Sequence, residues 1–153
     1  MRTQDTALRL RATALLQDAE RASPDDVEVL LCLAELYRNG NREADAVPLY
    51  RRAIRLDPTR VTASVGLGGI LMERGELAEA IRLWQYVLSK NGGLELVRIN
   101  LAMTQWRSGD LRAAESSLME AVSFNPGFAA PVYWLKLLRE QMQGHVDDPS
   151  KSG

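Results

Sequence analysis

Apolar and small residues recur along this chain with a helical period, and glycine, asparagine and proline interrupt them at regular intervals. Leu30, Leu33, Ala34 and Tyr37 show the i, i+3, i+4, i+7 spacing of one helix face. Similar stretches predict helices over 5–22, 27–39, 43–57, 61–74, 77–90, 95–108, 111–124 and 129–142. No segment alternates as a strand does. Two places break the pattern. Pro48 falls inside the helix expected at 43–57, where it removes a backbone donor and should distort the first turns. Gly92-Gly93 stands where a proline would end the segment, so a looser junction is expected there.

The interruptions are periodic. Pro24, Pro58 and Pro126 are separated by one and then two steps of 34 residues, and Gly92 fills the skipped place. Ala12, Ala46, Ala80 and Ala114 keep the same step, as do Leu33, Leu67, Leu101 and Leu135. Ala34, Gly68 and Ala102 follow the leucines; Asn41, Gly75 and Gly109 form another series; Ala19, Ala53, Val87 and Ala121 form a sixth. The physical reading is a stack of helix pairs. Small residues let helices approach, and leucines and aromatics fill the spaces between them. Gly75 and Gly109 suit the left-handed conformation after a helix end, for which asparagine is the next best residue.

At these positions the sequence resembles the tetratricopeptide repeat family, a 34-residue helix–turn–helix. The clearest copy is 27–60, with Leu30, Leu33, Ala34, Tyr37, Ala46, Tyr50, Ala53 and Pro58. A second copy, 61–94, carries Leu67, Gly68, Leu71, Gly75, Ala80 and Trp84. A third, 95–128, carries Leu101, Ala102, Gly109, Ala114, Leu118, Ala121 and Pro126. The resemblance covers 102 of 153 residues. It implies an all-α, right-handed α-solenoid of antiparallel helix pairs with about eight helices. Residues 1–26 match the second half of a repeat, 129–142 a capping helix, and 143–153 a polar, disordered tail. Lys136 stands at the small-residue position of the last helix, which would hinder further stacking. Leu8, Leu10, Leu15 and Leu16 spread over more than one face of helix 5–22, where an end helix should be polar outside. That points to a piece of a longer array or to self-association.

The stretch Gly66-Leu67-Gly68-Gly69 looks at first like a phosphate loop. No strand precedes it and no Lys-Ser/Thr follows, so a nucleotide site is not expected. Gly68 sits at the family's small packing position. Gly66 and Gly69 do not, and each costs about 1 kcal/mol relative to alanine inside a helix. Either a ligand approaches the helix backbone there, or a bulky neighbour such as Trp106 or Met103 takes the space.

By the resemblance, first helices of the repeats line a concave groove. The register places Leu31 and Glu35 there from the first repeat, with Glu28, Cys32, Arg38 and Asn39 beside them. The second repeat adds Val65, Gly66, Gly69 and Met72, with Thr62 and Glu73. The third adds Leu96, Ile99, Asn100, Met103, Trp106 and Arg107, and the cap helix Tyr133, Trp134 and Leu137. Leu96, Ile99, Met103 and Trp106 form an apolar stripe opposite the packing side of their helix. A helix apolar on both sides is covered on both: by a partner peptide, or by Met72 and Tyr133. The carboxylate clamp of the chaperone-binding members has no counterpart, because Leu31, Glu35, Gly66, Leu96 and Asn100 stand where its cations and asparagines would be.

Composition narrows the function rather than the fold. Lys and Arg number 19 against 20 Asp and Glu, so no net field attracts nucleic acid or an anionic membrane. One cysteine and one histidine supply neither a disulfide nor a four-ligand zinc site. No cofactor is expected. His145 falls in the expected tail, and Cys32 reads as a small buried side chain, so no Cys-His or Ser-His pair is expected. Residues 1–12 lack the apolar core of a signal peptide, which favours a cytoplasmic location, with a periplasmic one as the alternative for an excised domain. The expectation is a non-catalytic interaction scaffold, of a kind that resembles bacterial arrays, binding an amphipathic or extended protein segment. The alternative is a self-associating assembly module acting through 5–22.

Overall fold

The structure is a computed structural model and describes residues 2–146, with side chains described from 6 to 144. Among the described residues there are eight helices and no strand: α1 Arg2–Ala22, α2 Val27–Asn39, α3 Glu43–Leu56, α4 Val61–Glu73, α5 Leu77–Lys90, α6 Glu95–Arg107, α7 Leu111–Phe124 and α8 Ala129–Val146. No helix among them is long and apolar enough to cross a membrane. Most ends match the sequence pattern within a residue. The exceptions are α1, which starts three residues earlier, and α8, which continues four residues past 142 and takes in residue 145. The remainder of the expected tail, 147–153, lies outside the described residues.

The chain divides into two compact units, Met1–Glu73 and Arg74–Gly153. The division falls at the turn between α4 and α5, inside the segment expected as the second repeat.

In the first unit, Asp26 starts α2 by accepting hydrogen bonds from the backbone N–H of Glu28 (2.9 Å) and Val29 (3.3 Å). The α2–α3 turn is closed by Asn41 at φ 58°, the left-handed conformation its series predicts. Leu30, Leu33, Ala34, Ala46, Tyr50, Ala53, Ala63 and Leu67 are buried and form the core. Each buried leucine contributes about 1.5–3 kcal/mol. Alanine at 34, 46 and 53 gives the larger side chains room. Pro48 does not interrupt α3. Pro48 and Ala44, the residue whose carbonyl loses its donor, are both exposed, so solvent can serve that carbonyl.

In the second unit, Gly75 (φ 75°) and Gly109 (φ 89°) take the left-handed conformation at the turns preceding α5 and α7. Ala80, Trp84, Val87, Val97, Ala102, Ala114, Leu118, Ala121 and Leu138 are buried. Leu138 is the core leucine of α8, while Leu135, at the 34-residue step, is only half-buried. Lys136 is exposed and lies 3.9 Å from Glu140.

The α5–α6 junction is tied rather than loose. Asn91 Oδ1 accepts from Gly93 N–H (3.1 Å), and Arg98 Nη2 donates to the Gly92 carbonyl (2.7 Å). Arg98 also pairs with Glu120 and lies over the Phe124 ring, 4.6 Å from its centroid. One buried arginine thus holds the turn at which the repeat pattern lacks its proline.

Candidate functional site

In the first unit, a recess of about 450 Å³ runs along the face of α2, between Leu16 of α1 and Arg60 and Thr62 at the start of α4. Leu31 and Leu36 form its apolar part, with Cys32, Glu35 and Asn39 beside them. This spacing on α2 follows from helix geometry: residues three and four apart share a face. Cys32 is exposed, which corrects the expectation of a buried thiol. It projects from the side of α2 away from Leu33 and Ala34. Glu28 pairs with Arg60, which also reaches Asp57 at 3.3 Å.

Glu35 is engaged from below. Tyr50 Oη, coming from α3, donates to Glu35 Oε1 at 2.5 Å. Burial, and then the hydrogen bond and negative charge of Glu35, push the Tyr50 phenol well above its usual range; Arg38 opposes the shift. The ring passes where Gly66 has no side chain. A Cβ at Gly66 would lie 2.5 Å from Tyr50 Cε1 and 2.8 Å from Oη. The space expected for a ligand, or for Trp106 or Met103, is therefore filled by Tyr50. Gly69 faces the Arg38 guanidinium, with Nη2 3.4 Å from the place of a Cβ. Val65 and Met72 are half-buried on α4.

In the second unit, the stripe on α6 is divided in its use. Leu96 is exposed, Ile99 is buried, and Asn100 and Met103 are half-buried. Trp106 is held by α8: its indole N–H donates to Gln141 Oε1 (2.7 Å), and its ring meets Trp134 edge-on at 6.3 Å. Tyr133 continues the ring sequence against Trp134 at 5.2 Å but is itself exposed, as is Arg107. Trp106 therefore belongs to the packing of the last helices, and only Leu96, Tyr133 and Arg107 of the expected positions here stand open. Periodicity found the faces. It named Tyr50 and Arg38 but not that they meet Gly66 and Gly69, and it did not find Gln141 beside Trp106, because which side chain arrives from the facing helix is not encoded in the spacing of one helix.

Among the described residues, no group of three or more His, Cys, Asp or Glu side chains converges as a metal site would need. The described surface offers recesses with apolar parts edged by carboxylate, amide and guanidinium groups.

A search of the curated proteins gives no match. Solved structures do match in fold. One is a crystal structure of MamA, with 22% identity, TM-score 0.74, and coverage of 93% of this chain and 83% of that one. Another is YrrB, described as a tetratricopeptide repeat protein with an unusual peptide-binding site, with 20% identity, TM-score 0.67, and coverage of 86% and 68%. The first tetratricopeptide repeat domain of human RPAP3 matches with 12% identity, TM-score 0.68, and coverage of 82% and 99%. These likenesses establish an all-α solenoid of paired helices. Family profiles described as tetratricopeptide repeat match residues 9–61, 44–92 and 97–128. With most of its length matched and its helices paired in that register, the chain belongs to the tetratricopeptide repeat family.

Proposed function

We propose that the chain is a non-catalytic interaction module that takes an amphipathic or extended peptide segment on the α2 face of its first unit. The recess at Leu31 and Leu36 carries this reading. It is open, apolar in its depth, and edged by Glu28, Glu35 and Asn39, the mixture that orients a bound segment while burying its apolar side chains. Leu96 and Tyr133 are exposed apolar side chains in the other unit. The family fold, used by protein-binding scaffolds, supports the same reading.

Cys32→Arg tests it, because the position is exposed and helical and the new side chain fills the recess. Partner capture, followed by pull-down and mass spectrometry, is expected to fall tenfold or more while the helical circular dichroism is unchanged. The bound partner should also shield the Cys32 thiol of the wild-type chain from alkylation. Equal capture by a folded Cys32→Arg chain, with the thiol still reactive, would remove the α2 face from the function.

A second reading rests on α1. Leu8 and Leu15, seven residues apart on one side of the helix, are 66% and 63% exposed. Self-association through this side would cover them. Sedimentation equilibrium over a concentration series is expected to show dimers that Leu8→Lys, Leu15→Lys abolishes; a monomer at every concentration rules this reading out.

A further inference from the structure

The second unit holds a cleft of about 480 Å³ on the opposite side of α6 from Ile99 and Met103. Its walls are α5, from Gln85 to Ser89, and α7, from Ala113 to Glu120; its floor is Arg98, Leu101 and Gln105 of α6. The repeat pattern fills spaces between helices with apolar residues, yet here two polar side chains on α6 are more than nine-tenths buried: Gln105 is 7% exposed and Arg98 8%. Burying an amide or guanidinium is unfavourable unless its hydrogen-bonding groups are used.

Their partnered groups fix both side chains, and neither holds a nitrogen or oxygen that is both fully buried and without a partner. Ser117 Oγ donates to Gln105 Oε1 at 2.8 Å, which fixes the side-chain amide. Arg98 is tied to Glu120 and to the Gly92 carbonyl. Gln105 Nε2 makes no hydrogen bond to the described residues and opens onto the cleft that Gln105 lines. A donor fixed in place on a concave, largely buried surface is a recognition element.

We infer that this cleft is a second peptide-binding site, one that takes the main chain of a short extended segment. Glu120 neutralises Arg98, so the cleft has no net charge to favour an anion. Neutral carbonyl oxygens are the matching acceptors, and Gln105 Nε2 is placed to donate to one. Leu88, Leu101 and Ala113 give an apolar bed for a small side chain beside it. Residues 113–120 of α7 extend for about 10 Å at 1.5 Å per residue, room for roughly three extended residues at about 3.3 Å each. The site is independent of the α2 face, which lies in the other unit.

The test uses the full chain and a phage library of random heptapeptides, followed by fluorescence anisotropy with the enriched sequences. Two variants disable the cleft. Gln105→Leu removes the amide at similar volume, and Ser116→Trp, at an exposed position on the wall, fills the space. Enriched peptides are expected whose affinity falls tenfold or more with either variant and is unchanged by Cys32→Arg. If Ser116→Trp fails to fold, as judged by circular dichroism, Gln105→Leu alone decides. The inference is overturned if no peptide enriches over an uncoated surface, or if every enriched peptide binds Gln105→Leu as tightly as the wild type. Peptides lost only with Cys32→Arg would support the α2 face and overturn the cleft; peptides lost only with the cleft variants support the cleft and leave the α2 face to its own capture test.

Discussion

Trp84→Ala is expected to lower the stability of the second unit by about 3–5 kcal/mol, the usual cost of emptying a buried aromatic site. Trp84 is among the largest fully buried side chains, and it leads a short polar chain as well as filling volume. Its indole N–H donates to Thr104 Oγ1 at 3.2 Å, and that hydroxyl donates to the Asn100 carbonyl at 2.6 Å. Losing the ring leaves a cavity between α5 and α6 and removes the donor that meets Thr104. For a unit of this size, about 1 kcal/mol corresponds to 4–8 °C in midpoint, so the loss amounts to roughly 12–40 °C. Trp84→Phe separates the two effects. It keeps most of the volume and loses the hydrogen bond, for an expected cost of about 1–2 kcal/mol. Urea titration measures both, and hydrogen exchange should show lost protection in α5 and α6. A Trp84→Ala chain within 1 kcal/mol of wild type would mean the site collapses around the gap, and the account of the α5–α6 core would be wrong.

Trp84 was legible as a core residue because it keeps the 34-residue step with Tyr50 and Leu118, and all three are buried. The same holds for the alanine series at 46, 80 and 114 and for the left-handed turns at Asn41, Gly75 and Gly109. These features repeat because each solves the same local problem in each helix pair. What repetition does not encode is how one copy departs from the next. Arg98 ties the Gly92 turn, Gln105 and Ser117 put a hydrogen bond where the pattern expects hydrocarbon, and Trp106 turns to α8 instead of an open face. Each depends on a single partner from another helix. The series of 34 did not place Leu138 over Leu135 either: Leu138 is fully buried in the core that α8 completes, and Leu135 packs only at its edge. The candidate site was thus legible as a set of helix faces, and its individual contacts were not.

Gly66→Ala is the sharpest test of such a departure, because local propensity and tertiary packing predict opposite signs. Alanine in place of glycine inside a helix ordinarily stabilises by about 1 kcal/mol. Here the added Cβ would lie 2.5 Å from Tyr50 Cε1. The ring is fully buried and its hydroxyl is held by Glu35, so it cannot swing aside without breaking that bond. Overpacking of this kind costs about 1–3 kcal/mol, and Gly66→Ala is expected to destabilise. In a Tyr50→Ala background the obstacle is gone, and the same substitution should stabilise by about 1 kcal/mol. A double-mutant cycle in urea measures this reversal; additive effects would show that the ring does not occupy the gap. The Tyr50 proton supplies a second readout. Its pKa is raised from the usual value of 10.0, so the folded chain holds the proton more tightly than the unfolded one. The associated stability is complete below pH 10 and is lost as pH rises toward the folded value, by up to about 1.4 kcal/mol per pH unit. Tyr50→Phe should remove that part of the alkaline slope. Gly66→Ala, by displacing the hydroxyl from Glu35, should flatten it; an unchanged slope would mean that the ring keeps its place and α4 moves instead.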